Sequence, residues 1–255
     1  DLFINDEYVL GDVRLILLDK DGTIIDIHHY WGLMLKERAR LIVNRWFSDS
    51  DSQTKIFDEL IDAMGIEIES GRMKPEGPVG VKPRPFIVKV ATEVVCKNGV
   101  NAEEENIEKI FKDVDLQTAN DILPFLKVLP CIISFIKECH EQGVQLGVVT
   151  TDITERGRKA LQALEIENCF QYIIGGDQVI NPKPASDSVD IILEQSGIER
   201  DKIAVIGDHA VDMEMGITSK IGCNIGVLTG LGTRESFSPN TCHIIDSFKQ
   251  LSTRT

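Results

Sequence analysis

Two carboxylates one residue apart, Asp19 and Asp21 in the stretch LILLDKDGTII, are the first residues in the chain whose types and spacing suit chemistry. Side chains two apart on extended backbone point to the same side, so both acids can serve one substrate atom. Gly22 permits a sharp turn and Thr23 adds a hydroxyl. Farther along come Thr150 and Thr151 in VVTT, Lys183 in NPKP, and Asp208 with Asp212 in GDHAVD. Carboxylates, hydroxyls and an ammonium together make the set that phosphate transfer requires. Each has a plainer reading: a turn for Asp19 to Thr23, a helix cap for Thr150, a solvated turn for Lys183, and a cap with a first-turn acid for Asp208 and Asp212. A calcium loop is excluded, because Ile24 and Ile25 follow where further oxygen ligands would be needed. The plain readings weaken in combination, since all these groups fall at the ends of strands.

The elements that must position them alternate. Four of the five residues from Arg14 to Leu18 are large and apolar, as expected for a strand buried on both faces of a parallel sheet. After it, His28 to Phe47 and Gln53 to Met64 carry apolar residues at helical spacing, and Gly65 stands where a helix stops. Ser70 to Pro85 is rich in breakers and carries Arg72, Lys74, Lys82 and Arg84, the texture of a functional loop. Phe86 to Cys96 and Ala102 to Thr118 read as two more helices. Beyond Pro130 come helix Cys131 to Gln142, strand Val144 to Val149, helix Glu155 to Leu164, strand Tyr172 to Ile174, helix Ser186 to Ser196, strand Ile203 to Ile206, helix Met213 to Ser219, strand Ile225 to Leu228, strand His243 to Ile245 and a terminal turn of helix. The residues before Val13 are expected to pair at an edge or fray. This order predicts an α/β fold, a doubly wound parallel sheet built from residues 1–26 and 122–255, with residues 27–121 as a helical insert. In such a sheet the strand ends face one crevice.

Composition narrows the classes. The chain has 255 residues and a formal net charge of -14, which argues against a nucleic-acid or anionic-membrane surface. No apolar run is long enough to span a bilayer, and DLFINDEYVLGD lacks the features of a secretion signal, so a soluble, cytoplasmic protein is expected. Cys96, Cys131, Cys139, Cys169, Cys223 and Cys242 are scattered without a Cys-x-x-Cys pair and read as buried reduced thiols. Gly-x-Gly-x-x-Gly is missing, and an isolated GLG at Gly230 to Gly232 does not support dinucleotide binding.

DKDGT, VVTT, KP and GDHAVD, taken together, resemble the four motifs of the haloacid dehalogenase superfamily, in particular its aspartate-nucleophile phosphatases with a helical cap inserted after the first motif. The cap boundaries and the ending CHIIDSFKQL are similar to the phosphoglycolate phosphatase branch. The resemblance implies that Asp19 attacks a small phosphate ester, that Asp21 protonates the leaving alcohol and then deprotonates water, and that Thr150, Thr151 and Lys183 bind the phosphoryl group. It also implies Mg²⁺ held by Asp19, the Asp21 carbonyl and Asp208, with Asp212 orienting Lys183 or a metal-bound water. Arg72, Lys82 and Arg84, with Lys74 beside them, are then the candidates for a second anionic group of the substrate, and His28, His29, Tyr30 and Trp31 for the cap side or for hinge packing. Three positions depart from the pattern: Lys20 between the acids, Thr151 where Asn is frequent, and His209 where Ser or Thr is. Strand alternation predicts that Lys20 points away from the acids, toward the cap interface, and His209 is expected to be a partly exposed turn residue. Asp21 counts against a dehalogenase, which has no leaving alcohol to protonate. A phosphomutase and a noncatalytic phosphate-sensing module remain as alternatives.

Overall fold

A computed structural model describes residues 1–79, 82–237 and 243–254. The chain divides into two compact units, Asp1–Asp26 with Lys127–Thr255, and Ile27–Leu126.

The first unit is α/β. Its six-stranded sheet has the order β5-β4-β3-β6-β7-β8, with β3 Leu15–Leu18, β4 Gln145–Val149, β5 Tyr172–Ile174, β6 Ile203–Gly207, β7 Cys223–Val227 and β8 His243–Ile245. Every neighbouring pair is parallel, and Leu18 lies opposite Val148 on one side and Ile206 on the other. Central strands covered on both faces need apolar residues throughout, and β3 and β6 are buried from end to end. Helices α5 (Ile132–Glu141), α6 (Thr154–Ala163), α7 (Asp187–Ser196) and α8 (Ala210–Thr218) connect the strands. On α5 the buried residues Ile132, Phe135, Ile136 and Cys139 recur at helical spacing and form its inward stripe. Leu15, Leu17, Val189, Ile192, Val205 and Met213 share one core, each fully buried aliphatic contributing about 1.5–3 kcal/mol.

The amino-terminal segment neither frays nor joins this sheet. Strands β1 (Leu2–Ile4) and β2 (Glu7–Leu10) form a hairpin over Asn5 and Asp6, both at positive φ, as a two-residue turn of matching twist requires. Strand β1 also pairs antiparallel with β9 (Leu251–Thr253), making a separate three-stranded sheet. The expected terminal helical turn is only Phe248–Gln250, and β9 follows it.

The second unit is helical. Its helices are α1 (Ile27–Trp46), α2 (Ser50–Met64), α3 (Arg84–Lys97) and α4 (Glu104–Asn120), and the unit ends beyond the expected Asp121. Asp49 caps α2 by accepting from the Ser52 N–H at 2.8 Å, and Gly65 stops it at φ 110. Residues 80 and 81 of the Ser70 to Pro85 loop, and Cys242, lie outside the described residues. Cys139 and Cys223 are buried as expected, but Cys96 and Cys131 are exposed and Cys169 is half-buried. Cys131 occupies the positive-φ position before α5, outside the buried stripe. Burial pushes the Cys139 thiol up to about 12, keeping it protonated.

Candidate active site

Strand β3 ends at Leu18, and the chain turns immediately afterwards. Asp19 donates its N–H to the Ile206 carbonyl at 3.0 Å, while Ile24 and Ile25 both donate back to the Lys20 carbonyl at 2.9 and 3.0 Å. Gly22 makes this turn at φ 94, and a β-carbon there would fall 2.2 Å from Asp208 Oδ2. Glycine is therefore needed twice over, for the turn and for room beside Asp208.

Around Asp19 the carboxyl ends of three parallel strands bring charges together. Lys183 Nζ lies 2.6 Å from Asp19 Oδ1 and 2.6 Å from Asp212 Oδ1. Asp19, Asp208 and Asp212 each offer an oxygen within 4.8 Å of the others. Asp208 accepts from the Leu231 N–H at 2.8 Å and from the Thr23 hydroxyl at 3.4 Å. Asp212 also accepts from the His209 N–H at 3.1 Å, and His209 Nδ1 accepts from Val211 N–H at 3.3 Å, so the half-buried His209 is the cap of α8. Burial, reinforced by the charges of Asp212 and Asp21, pushes Asp19 up to about 7 against the pull of Lys183. Asp208 is raised well above the ordinary carboxylate range by burial and by Asp19 and Asp212. Burial opposes the charge on Lys183, but Asp19 and Asp212 more than offset it and keep the ammonium above its usual range. With every group ionised, one ammonium faces three carboxylates, a surplus of two negative charges. An oxygen-only donor set with that surplus fits a hard divalent cation such as Mg²⁺.

A second cluster surrounds Asp21. Lys20 is fully buried and points toward the acids, not away from them: its Nζ is 2.8 Å from Asp21 Oδ1 and 3.2 Å from Asp152 Oδ2. Alternation fails because position 20 belongs to the turn and not to the strand, and a buried ammonium must sit among carboxylates. Asp152 accepts from Arg156 Nη1 and from the Ile153 N–H, each at 2.8 Å. Thr150, buried at the end of β4, uses its Oγ1 to accept the Asp152 N–H at 3.1 Å, while Thr151 is exposed. The start of α6 is held by Asp177, whose Oδ1 accepts from both the N–H and the hydroxyl of Thr154 at 2.7 Å.

Lys20, Asp152, Asp177 and the GLG segment are absent from the sequence-based site. Gly230 and Gly232 serve Asp208: a β-carbon on Gly230 would stand 1.8 Å from Asp208 Oδ2, and the Gly232 N–H donates to the Asp208 carbonyl at 2.7 Å. The signal for Asp152 was its place one residue beyond the threonines at a strand end.

The remaining candidates belong to the helical unit. Arg84 opens α3 and is committed to Glu108 at 2.9 Å and to Asp115, so its guanidinium ties α3 to α4. Arg38, almost fully buried, reaches the same Asp115 at 2.8 Å and lies over the Phe111 ring. Lys74 pairs with Asp62 at 2.8 Å. Arg72 Nη2 lies 2.6 Å from His28 Nε2, and Lys82 is exposed. Tyr30 is fully buried and meets Trp31 edge-on, with ring centroids 5.4 Å apart.

Fold and site define a doubly wound α/β protein with a buried acidic cluster, of a kind that could hold a metal ion, at the carboxyl ends of its strands. The chain belongs to the haloacid dehalogenase-like hydrolases, whose family model matches residues 81–225, more than half of it. Pyrophosphatase PpaX of Halalkalibacterium halodurans is 31% identical over 96 residues, 38% of this chain and 42% of that protein. Phosphoglycolate phosphatase of Salmonella paratyphi A is 27% identical over 126 residues, 49% of each chain. The chain thus spans about half the length of the curated relatives it matches. A crystal structure of a predicted phosphoglycolate phosphatase from Haemophilus somnus superposes with a TM-score of 0.70 at 18% identity, covering 93% of this chain and 96% of the other. Among the described residues, no helix is long and apolar enough to cross a membrane.

Proposed function

We propose that this protein is a Mg²⁺-dependent phosphatase of small phosphomonoesters, 2-phosphoglycolate or a sugar phosphate. The observation that carries the reading is Asp19 at the end of β3, held by Lys183 at 2.6 Å and within cation-sharing reach of Asp208. Asp19 and Asp208, with the Asp21 carbonyl, would hold Mg²⁺, which when bound neutralises charge on the phosphoryl oxygens.

An oxygen of Asp19 attacks phosphorus, the bond to the ester oxygen breaks, and Asp21 gives that oxygen its proton, releasing the alcohol. Water then attacks the aspartyl-phosphate and loses a proton to Asp21. The Asp19 carboxylate is regenerated and inorganic phosphate leaves. Lys183 balances charge on the phosphoryl group, Asp212 holds Lys183 in place, and Thr150, at the end of β4, would bind a phosphoryl oxygen. Lys74 and Arg84 already face carboxylates, so recognition of a second anionic group on the substrate falls to Arg72 and Lys82. The phosphatase names of the relatives support the same reaction class.

Phosphate release from a panel of esters, with and without Mg²⁺, tests this reading. The wild type is expected to be active only with the cation, and Asp19→Asn to lose roughly 10⁴-fold or more. Undiminished turnover by Asp19→Asn would overturn it, and isomerised sugar phosphate without phosphate release would favour a mutase.

A further inference from the structure

Lys20 has no task in the reaction above, yet it is the most completely buried cation of the α/β unit among the described residues. Burying an ammonium costs several kcal/mol before its partners are counted, and an apolar side chain could fill the same space at less cost. Its position is specific. One contact reaches Asp21 Oδ1 at 2.8 Å and another reaches Asp152 Oδ2 at 3.2 Å, and Asp152 is anchored in turn by Arg156 and the Ile153 N–H.

We infer that Lys20 is a positioning residue that fixes the orientation of the Asp21 carboxyl group for proton transfer to the leaving alcohol; the inference rests on the acid/base role proposed for Asp21. A carboxyl group turns readily about its terminal torsion, which has no sharp rotamer wells. Donation from Lys20 to Oδ1 stops that rotation and makes Oδ1 the accepting oxygen, so the transferable proton is carried on Oδ2. Asp152 supplies a second carboxylate that takes no part in the proton exchange. The ammonium therefore keeps a partner while Asp21 is neutral, and the clamp persists through both halves of the cycle.

The test is the dependence of kcat/KM on the leaving group. An alkoxide needs a proton to depart, whereas a nitrophenolate leaves unaided, and kcat/KM excludes the later hydrolysis step that both esters share. Lys20→Met is expected to lose about 100-fold on a simple alkyl phosphate and less than about 5-fold on p-nitrophenyl phosphate. Asp21→Asn should show the same bias, and the double variant should lose no more on the alkyl ester than Asp21→Asn alone. If Lys20→Met does not fold, as read from its melting curve, Asp152→Asn takes its place, with the same bias at about 10-fold. Equal losses on both esters, or an additive double variant, in a protein whose wild-type phosphatase activity is established would overturn the inference alone. A wild type that releases phosphate from no ester of the panel, these two included, would overturn the proposed function and this inference with it.

Discussion

Two buried lysines, Lys183 and Lys20, each bridge a pair of aspartates, and the two aspartates of the DKDGT motif are divided between them. The clusters differ in charge. Around Lys183 the carboxylates outnumber the cation three to one, whereas around Lys20 a second cation, Arg156, balances Asp21 and Asp152. With every group ionised, the first cluster carries a surplus of negative charge that a cation could offset. The second is self-neutral and serves to hold geometry. Neighbouring acids of identical type are thus prepared for different work by what surrounds them.

Removing Lys183 is the hardest blow to this contrast. Lys183→Met takes away charge stabilisation that both esters need, so losses of about 10²–10³-fold are expected irrespective of the leaving group. A leaving-group bias like that of Lys20→Met would erase the distinction between the clusters, and paired kcat/KM measurements decide it. Next in size is Gly230→Ala, whose methyl group would displace Asp208 Oδ2. Mg²⁺ affinity, measured by titration calorimetry, should weaken about 10–100-fold, and unchanged affinity would remove Asp208 from the cation site.

The smallest effect sharpens the comparison through pH. Asp19 is raised from 3.8 to about 7, so the unfolded chain releases this proton first. Without Mg²⁺, the stability that this group contributes is present below about pH 4 and is lost as pH rises through about 7. The cation competes with that proton, so the rise in Tm on adding Mg²⁺ should be larger at pH 8 than at pH 5. Melting curves at both values check the sign, and a larger rise at pH 5 would contradict it.

The sheet was largely legible because buried parallel strands leave apolar runs, as in Ile203 to Ile206, and Gly65 announces the end of a helix by its left-handed conformation. That Asp19, Lys183, Asp208 and Asp212 come together was legible because strand ends are where side chains meet. Lys20 was misdirected because alternation was extended one residue into a turn. The partnership of Asp152 with Lys20, the role of Gly230 and the pairing of β1 with β9 were not legible, since each depends on a partner distant in the chain, and periodicity carries no information about such partners. Arg84 looked like a loop cation, but the acids that claim it lie on α4.

The pairing of Leu2 with Thr253 has a bearing on how the protein is made. Strand β3 finds its neighbours only in β4 and β6, so a chain emerging from the ribosome carries an unpaired apolar strand while the whole helical unit is synthesised. Closure of the small sheet waits for β9. A nascent chain stalled near residue 200 would leave the β6-facing edge of β3 open to aggregation and be a natural client for chaperones.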